Sequence, residues 1–187
     1  MRLISEETPL LVIGSFAFNY WYGTEYKDID IYSSIPLEVK DSQIDLQTAS
    51  RDSGIREFVE ANKTAPVVTL STNPPLRVKV AKPTTLLLIK KLHSLFRQKW
   101  QKNISDYFWL KEIVKSNPSE EEIKAYEVRK LWVSRAKPIP PITKLNVCHN
   151  GVILRDWLKL PIKTREKILE SNLWVVSCKG KGKTIRF

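Results

Sequence analysis

Four consecutive apolar residues, Leu10–Ile13, run straight into Gly14-Ser15, and further along comes Asp28-Ile29-Asp30-Ile31-Tyr32. An uninterrupted apolar run of that length reads as a strand buried on both faces, Gly-Ser as a turn opening a helix, and Asp-Ile-Asp-Ile as a second strand. In a strand, residues i and i+2 share a face, so Asp28 and Asp30 point one way while Ile29 and Ile31 enter the core. Two parallel carboxylates repel each other unless a cation lies between them, and a hard, oxygen-seeking ion such as Mg²⁺ (or Mn²⁺) suits that geometry. The free N–H groups and positive dipole end of a helix opening at Gly14-Ser15 suit a phosphate. A metal-binding pair beside a phosphate cradle is the pattern expected for phosphoryl or nucleotidyl transfer.

The rest of the chain predicts an α/β (α+β) protein, with a small mixed sheet flanked by helices in residues 1–82 and a basic, mainly helical region in 83–187. Ser15–Tyr22 is expected as a short helix and Lys27–Tyr32 as a strand. Ser42–Leu46 reads equally as a short strand or a turn. Ile55–Asn62 has helical spacing, and Val67–Leu70 and Leu76–Val80 are β-rich runs separated by Thr72-Asn73-Pro74-Pro75. After Pro83 the period becomes helical, with Thr84 or Thr85 as the cap and Leu88, Leu92, Leu95 and Phe96 on one stripe. Further helices are expected over Ile104–Lys115, where Lys102 and Asp106 are one turn apart, and from the capping box Ser119-Glu120-Glu121-Glu122 to Arg135. Lys137–Pro141 reads as a stiff extended link, Arg155–Leu160 and Thr164–Ser171 as short helices, and Trp174–Ser177 as a late strand. The tail Lys179–Lys183 reads as mobile.

Charge is divided unevenly. Residues 1–80 carry 8 Lys/Arg against 11 Asp/Glu, whereas residues 81–187 carry 23 against 9. A mildly acidic half holding the aspartate pair, followed by a strongly basic half, suits a metal site next to a surface for a polyanion such as RNA, DNA or a nucleoside triphosphate; a solvated lysine-rich surface is the plainer alternative. Cys148 and Cys178 lack metal-ligand spacing and read as reduced thiols of a cytoplasmic protein. Two histidines, His93 and His149, give no zinc cluster. The apolar stretch Pro9–Tyr22 is shorter than the roughly 20 residues that span a bilayer and lacks a cleavage pattern, so no membrane role is expected.

The motif Gly14-Ser15, short helix, Asp28-Ile29-Asp30 resembles the DNA polymerase β-type nucleotidyltransferase superfamily. The match covers about the first 33 residues well and the first 80 in outline. The resemblance implies a mixed nucleotidyltransferase sheet, with Gly14 and Ser15 on the β,γ-phosphates and Asp28 and Asp30 as metal ligands. It also implies a third carboxylate that positions or deprotonates the attacking hydroxyl. Asp45, in Ile44-Asp45-Leu46, has the local pattern of that third residue, though only 15 residues separate it from Asp30; a solvated loop aspartate is the other reading. On the strand Leu76–Val80, where the third carboxylate is expected, stands Lys79, either a surface residue or a neutraliser of phosphate charge. Lys90 and Lys91, on the first helix after the sheet, are candidates to reach the triphosphate. Ala17 and Phe18 occupy positions where minimal members commonly carry arginine. A looser similarity to phage and viral nucleotidyltransferase-like proteins rests on Lys91, His93, Ser105–Leu110 and His149–Gly151.

The expected function is therefore Mg²⁺-dependent transfer of a nucleoside monophosphate from an NTP to a hydroxyl of RNA, DNA, protein or a small molecule. The alternative keeps the fold without the chemistry, as a nucleic-acid- or nucleotide-binding protein. A metal-dependent glycosyltransferase also uses Asp-x-Asp, but the chain is short for that fold and the position of Gly-Ser argues against it.

Overall fold

The computed structural model describes residues 8–96, 100–135, 146–149, 152–153, 160–170, 174–177 and 185–186. The chain divides into two units: Met1–Leu88 with Ser116–Arg135, and Ile89–Lys115 with Ala136–Phe187. The mixed α+β architecture expected from the sequence is what the chain adopts.

The first unit is built on a five-stranded sheet of β1 (Leu10–Ile13), β2 (Ile29–Ser33), β3 (Ile44–Thr48), β4 (Val67–Leu70) and β5 (Leu76–Val80), in the order β3-β2-β1-β5-β4. β1 is central and buried along its whole length, which explains its unbroken apolar run. It pairs antiparallel with β2 and parallel with β5. β2 pairs parallel with the edge strand β3 after a connection (residues 34–43) that contains no helix. Parallel neighbours ordinarily need a longer crossover, so the ambiguous stretch around Ile44-Asp45-Leu46 resolves as a strand against local expectation.

Register sorts the side chains. Ile13 faces Asp30, Asp30 faces Asp45, Leu11 faces both Tyr32 and Lys79, and Tyr32 faces Gln47, so these residues share one face of the sheet. Helices α2 (Ile55–Ala61) and α5 (Glu120–Ser134) cover part of that face. Phe58 of α2 packs its ring 6.3 Å from that of Tyr32, and the Arg129 guanidinium of α5 lies 5.5 Å from the same ring. α5 comes close because Gly54, at φ +75°, presents no Cβ; one placed there would stand 2.6 Å from the Arg129 backbone nitrogen.

α1 (Gly14–Tyr22) follows β1 without a break and ends at Gly23. α3 (Pro83–Phe96) opens on proline, which suits a first helical position. Thr84 and Thr85, expected as caps of their own helix, instead donate their hydroxyls to Glu122 of α5. Glu122 is also the third residue of the expected capping box, accepting the Ser119 backbone N–H at 2.8 Å while the Ser119 hydroxyl accepts from the Glu122 N–H. Asn62, at the end of α2, extends this buried polar knot by bonding Thr85 and accepting the Lys82 N–H.

The second unit contains the later part of α3, α4 (Trp100–Ile113), α6 (Ile162–Glu170) and a second sheet. Leu92, Leu95, Ile104, Phe108, Leu110 and Leu169 are among its buried apolar positions. The sheet comprises β6 (Asn146–His149), β7 (Val152–Ile153), β8 (Trp174–Ser177) and β9 (Ile185–Arg186) in the order β7-β6-β8-β9, all antiparallel. Only β8 was marked as a strand by the sequence pattern. The link Lys137–Pro141, the helix expected at Arg155–Leu160 and the basic tail Lys179–Lys183 lie outside the described residues. Among the described residues no helix is long and apolar enough to cross a membrane.

Candidate active site

Ile13 ends β1 in an extended conformation and Gly14 turns the chain at φ +67° into α1. This is the left-handed region that penalises residues with a Cβ. The need for glycine is also steric. A Cβ on Gly14 would sit 2.0 Å from Oδ2 of Asp30 and 3.0 Å from its Cγ, so the Asp30 carboxylate rests against the opening of α1. Next to it, the Ser15 hydroxyl lies 3.0 Å from Oδ1 of Asp28 and 3.1 Å from the Asp28 backbone carbonyl. Gly14, Ser15, Asp28 and Asp30 lie together, with Asp28 just ahead of β2 rather than inside the strand expected over Lys27–Tyr32. The N-cap of α1 is Ile13, which offers no side-chain acceptor, and its first turn contains no acidic residue. The carboxylate at that helix start is the one Asp30 brings from β2.

Asp45 joins by register. It is the direct neighbour of Asp30 on β3, so its side chain leaves the sheet on the same face. The short separation from Asp30 made a shared sheet position difficult to foresee; the helix-free connection supplies it. Asp28 and Asp45 are exposed and Asp30 is half-buried. Among the described residues the Asp45 side chain has no ion pair or hydrogen bond.

The donor set fits a hard divalent cation: carboxylate oxygens from Asp28 and Asp30, with Asp45 alongside. No group of three or more His, Cys, Asp or Glu side chains able to hold a metal ion forms among the described residues. Mg²⁺ does not require such a cage, because it is commonly held by one or two carboxylates together with substrate phosphates and water.

Lys79 is not the alternating surface residue the sequence allowed. It is 5% exposed and lies on the same sheet face as Asp30 and Tyr32. Among the described residues its ammonium has no ion pair or hydrogen bond. Lys90 and Lys91 belong to the second unit, where both are engaged. Lys90 lies 2.7 Å from Asp106 and 3.3 Å from the Asn103 side-chain oxygen, and Lys91 lies 3.0 Å from Glu170. Asp106 therefore pairs with Lys90 across two helices rather than with Lys102 one turn away.

Ala17 and Phe18, which stand where arginine is common in the resembled superfamily, are 0% and 7% exposed. An arginine at either position would have to bury its charge in the core of this unit. Sequence reasoning missed Arg129. Its guanidinium is almost fully buried, donates to the Ser53 carbonyl at 3.0 Å and to the Gln47 side chain at 3.3 Å, and stacks 4.6 Å from the Trp132 ring. It thereby fastens β3, the strand carrying Asp45, two residues from that aspartate. The buried stripe of α5 is Glu122, Ala125, Tyr126 and Arg129. A stripe with a charge at each end gives no hydropathy signal, although its spacing is helical.

Comparison with protein-family models, curated proteins and solved structures found no match.

Proposed function

We propose that the chain is a nucleotidyltransferase that moves a nucleoside monophosphate from a nucleoside triphosphate to a hydroxyl acceptor. Mg²⁺ (or Mn²⁺) would be held by Asp28 and Asp30. The observation that carries this reading is the seating of the Asp30 carboxylate against Gly14, with Ser15 bonded to Asp28 beside it. One short turn thereby brings a phosphate-binding helix start and a carboxylate pair into the same place.

In this reading the amides at the start of α1 and the Ser15 hydroxyl bind the β,γ-phosphates, and Lys79 adds positive charge on the same sheet face. Lys90 and Lys91 are left out of the triphosphate site because each is tied into an ion pair. When bound, the divalent ion supplies charge neutralisation at the α-phosphate. Asp45 orients the acceptor hydroxyl and takes its proton as the oxygen bonds to the α-phosphorus. The bond from that phosphorus to the pyrophosphate oxygen breaks, and pyrophosphate leaves. The excess of basic residues after residue 80 favours RNA or DNA as the acceptor.

The test is consumption of each α-labelled NTP with Mg²⁺ or Mn²⁺ in the presence of tRNA, oligonucleotides and protein acceptors. Asp28→Asn and Asp30→Asn should each reduce transfer by at least about 10³-fold while leaving affinity for polyanions unchanged. A wild-type chain that binds nucleic acid, turns over no NTP and is unaffected by both substitutions would move the account to the binding-only alternative.

A further inference from the structure

The segment joining α1 to β2 is held against the helix along its length. The Gly23 N–H donates to the Asn19 carbonyl at 2.8 Å, the Asn19 side-chain amide donates to the Thr24 carbonyl, and Ser15 holds Asp28. Between those anchors the Tyr26 ring meets Phe16 edge-to-face, with centroids 4.9 Å apart and planes at 71°. Adjacent residues at the start of α1, Ser15 and Phe16, thus grip Asp28 and Tyr26. Two residues of chain span at most about 7 Å, so Tyr26 lies close to the carboxylate pair. Despite its contact with Phe16, Tyr26 is 45% exposed.

The other aromatic residues nearby are placed differently. Phe18 is buried in the core. Trp21 donates its indole N–H to the Ala81 carbonyl at 2.8 Å and packs against Tyr20. Tyr20 is also exposed, but it stands one helical turn beyond Phe16, away from Asp28. A single exposed aromatic residue is ordinary on a protein surface. Tyr26 differs in being fixed beside the carboxylates, on a loop anchored at both ends, with its ring braced by Phe16.

From this we infer that Tyr26 is the stacking surface for the base of the incoming nucleoside triphosphate. The inference rests on the nucleotidyl-transfer reading and adds the part of the nucleotide that the phosphate and carboxylate groups do not address. Every base presents a π face, so this contact favours a nucleoside over bare polyphosphate and discriminates little among bases. The brace from Phe16 reduces the ordering cost of binding, because the ring is positioned before the ligand arrives.

The experiment is calorimetric titration of the full chain with ATP and with inorganic tripolyphosphate, both in excess Mg²⁺. The wild-type chain should bind ATP roughly ten-fold more tightly than tripolyphosphate, the size of one base–aromatic stack. Tyr26→Ala should erase that difference and leave tripolyphosphate affinity intact, while Tyr26→Phe and Tyr26→Trp should preserve it. An ATP preference that survives in Tyr26→Ala overturns the stacking role and leaves the phosphate site standing. The stacking role also fails if the wild type binds both ligands equally, or if Tyr26→Ala weakens both alike, as loss of loop support for Asp28 would. A wild-type chain that binds neither ligand overturns the nucleotidyl-transfer reading and this inference together. An effect confined to a polynucleotide acceptor assigns the ring to the acceptor's base and overturns it for the nucleotide.

Discussion

The first unit holds two carboxylate sites built on opposite principles. Glu122 is 2% exposed and surrounded by donors: the hydroxyls of Thr84 and Thr85 and the backbone N–H of Ser119. At Asp28, Asp30 and Asp45, carboxylates stand beside one another in register or two residues apart, and Ser15 is the donor to Asp28. A carboxylate saturated by hydrogen bonds has its charge satisfied by the fold and has no need of a ligand. Acidic groups gathered on one face repel one another, and a cation relieves that repulsion. The first arrangement binds α2, α3 and α5 together. In the second, the Asp30 carboxylate rests against Gly14 at the start of α1.

If the comparison is right, substitutions at the two sites have different consequences. Glu122→Ala removes the acceptor for two hydroxyls and a helix cap in a buried place, and should cost about 4 kcal/mol in urea denaturation. Asp30→Asn, at a half-buried site, should cost less stability than Glu122→Ala while abolishing transfer. Equal destabilisation by both would erase the distinction.

Gly14→Ala sharpens the second half of the comparison. Its Cβ would collide with Asp30 Oδ2, so the carboxylate must move or the turn must open. Transfer should fall roughly 10²-fold, as expected for a displacement of about 1 Å at a reacting centre. Unimpaired turnover in a folded Gly14→Ala chain would show that the seating of Asp30 is irrelevant to activity.

Tyr107, in the second unit, offers a case in which a carboxylate acts through its charge alone. Burial, aided by the nearby Glu170 carboxylate, pushes its phenol up to about 12 from the usual 10. The folded state therefore favours the protonated phenol. That contribution is fully present below pH 10 and is lost as pH rises from 10 through 12. It amounts to roughly 3 kcal/mol. Absorbance titration at alkaline pH should show this tyrosine ionising late in the native chain, and Tyr107→Phe should remove that late step and flatten the decline in stability over the same window.

The carboxylate site was largely legible in the sequence. An apolar run, Gly-Ser and Asp-x-Asp are local patterns; the turn at Gly14 meets Asp30 of β2, and the Ser15 hydroxyl meets Asp28 just before that strand. Asp45 was harder, because its place depends on the pairing of β3 with β2, a non-local event that no residue near Ile44 announces. Lys79 looked like an exposed member of an alternating strand because the sequence gives no sign that α2 and α5 cover part of that face. Arg129 and Glu122 were hidden for a related reason: charged residues at buried helical positions cancel the hydropathy signal that marks a packed stripe. The second sheet was almost invisible, since β7 and β9 have two residues each and take their strand character from pairing rather than propensity.

The most direct measurement is Mn²⁺ binding followed by electron paramagnetic resonance, in the presence of a non-hydrolysable nucleoside triphosphate analogue. The wild-type chain should hold protein-bound Mn²⁺ that Asp28→Asn and Asp30→Asn each weaken severely, while Glu122→Gln leaves it unchanged. Binding that is indifferent to Asp28 and Asp30, or that disappears with Glu122, would contradict the account.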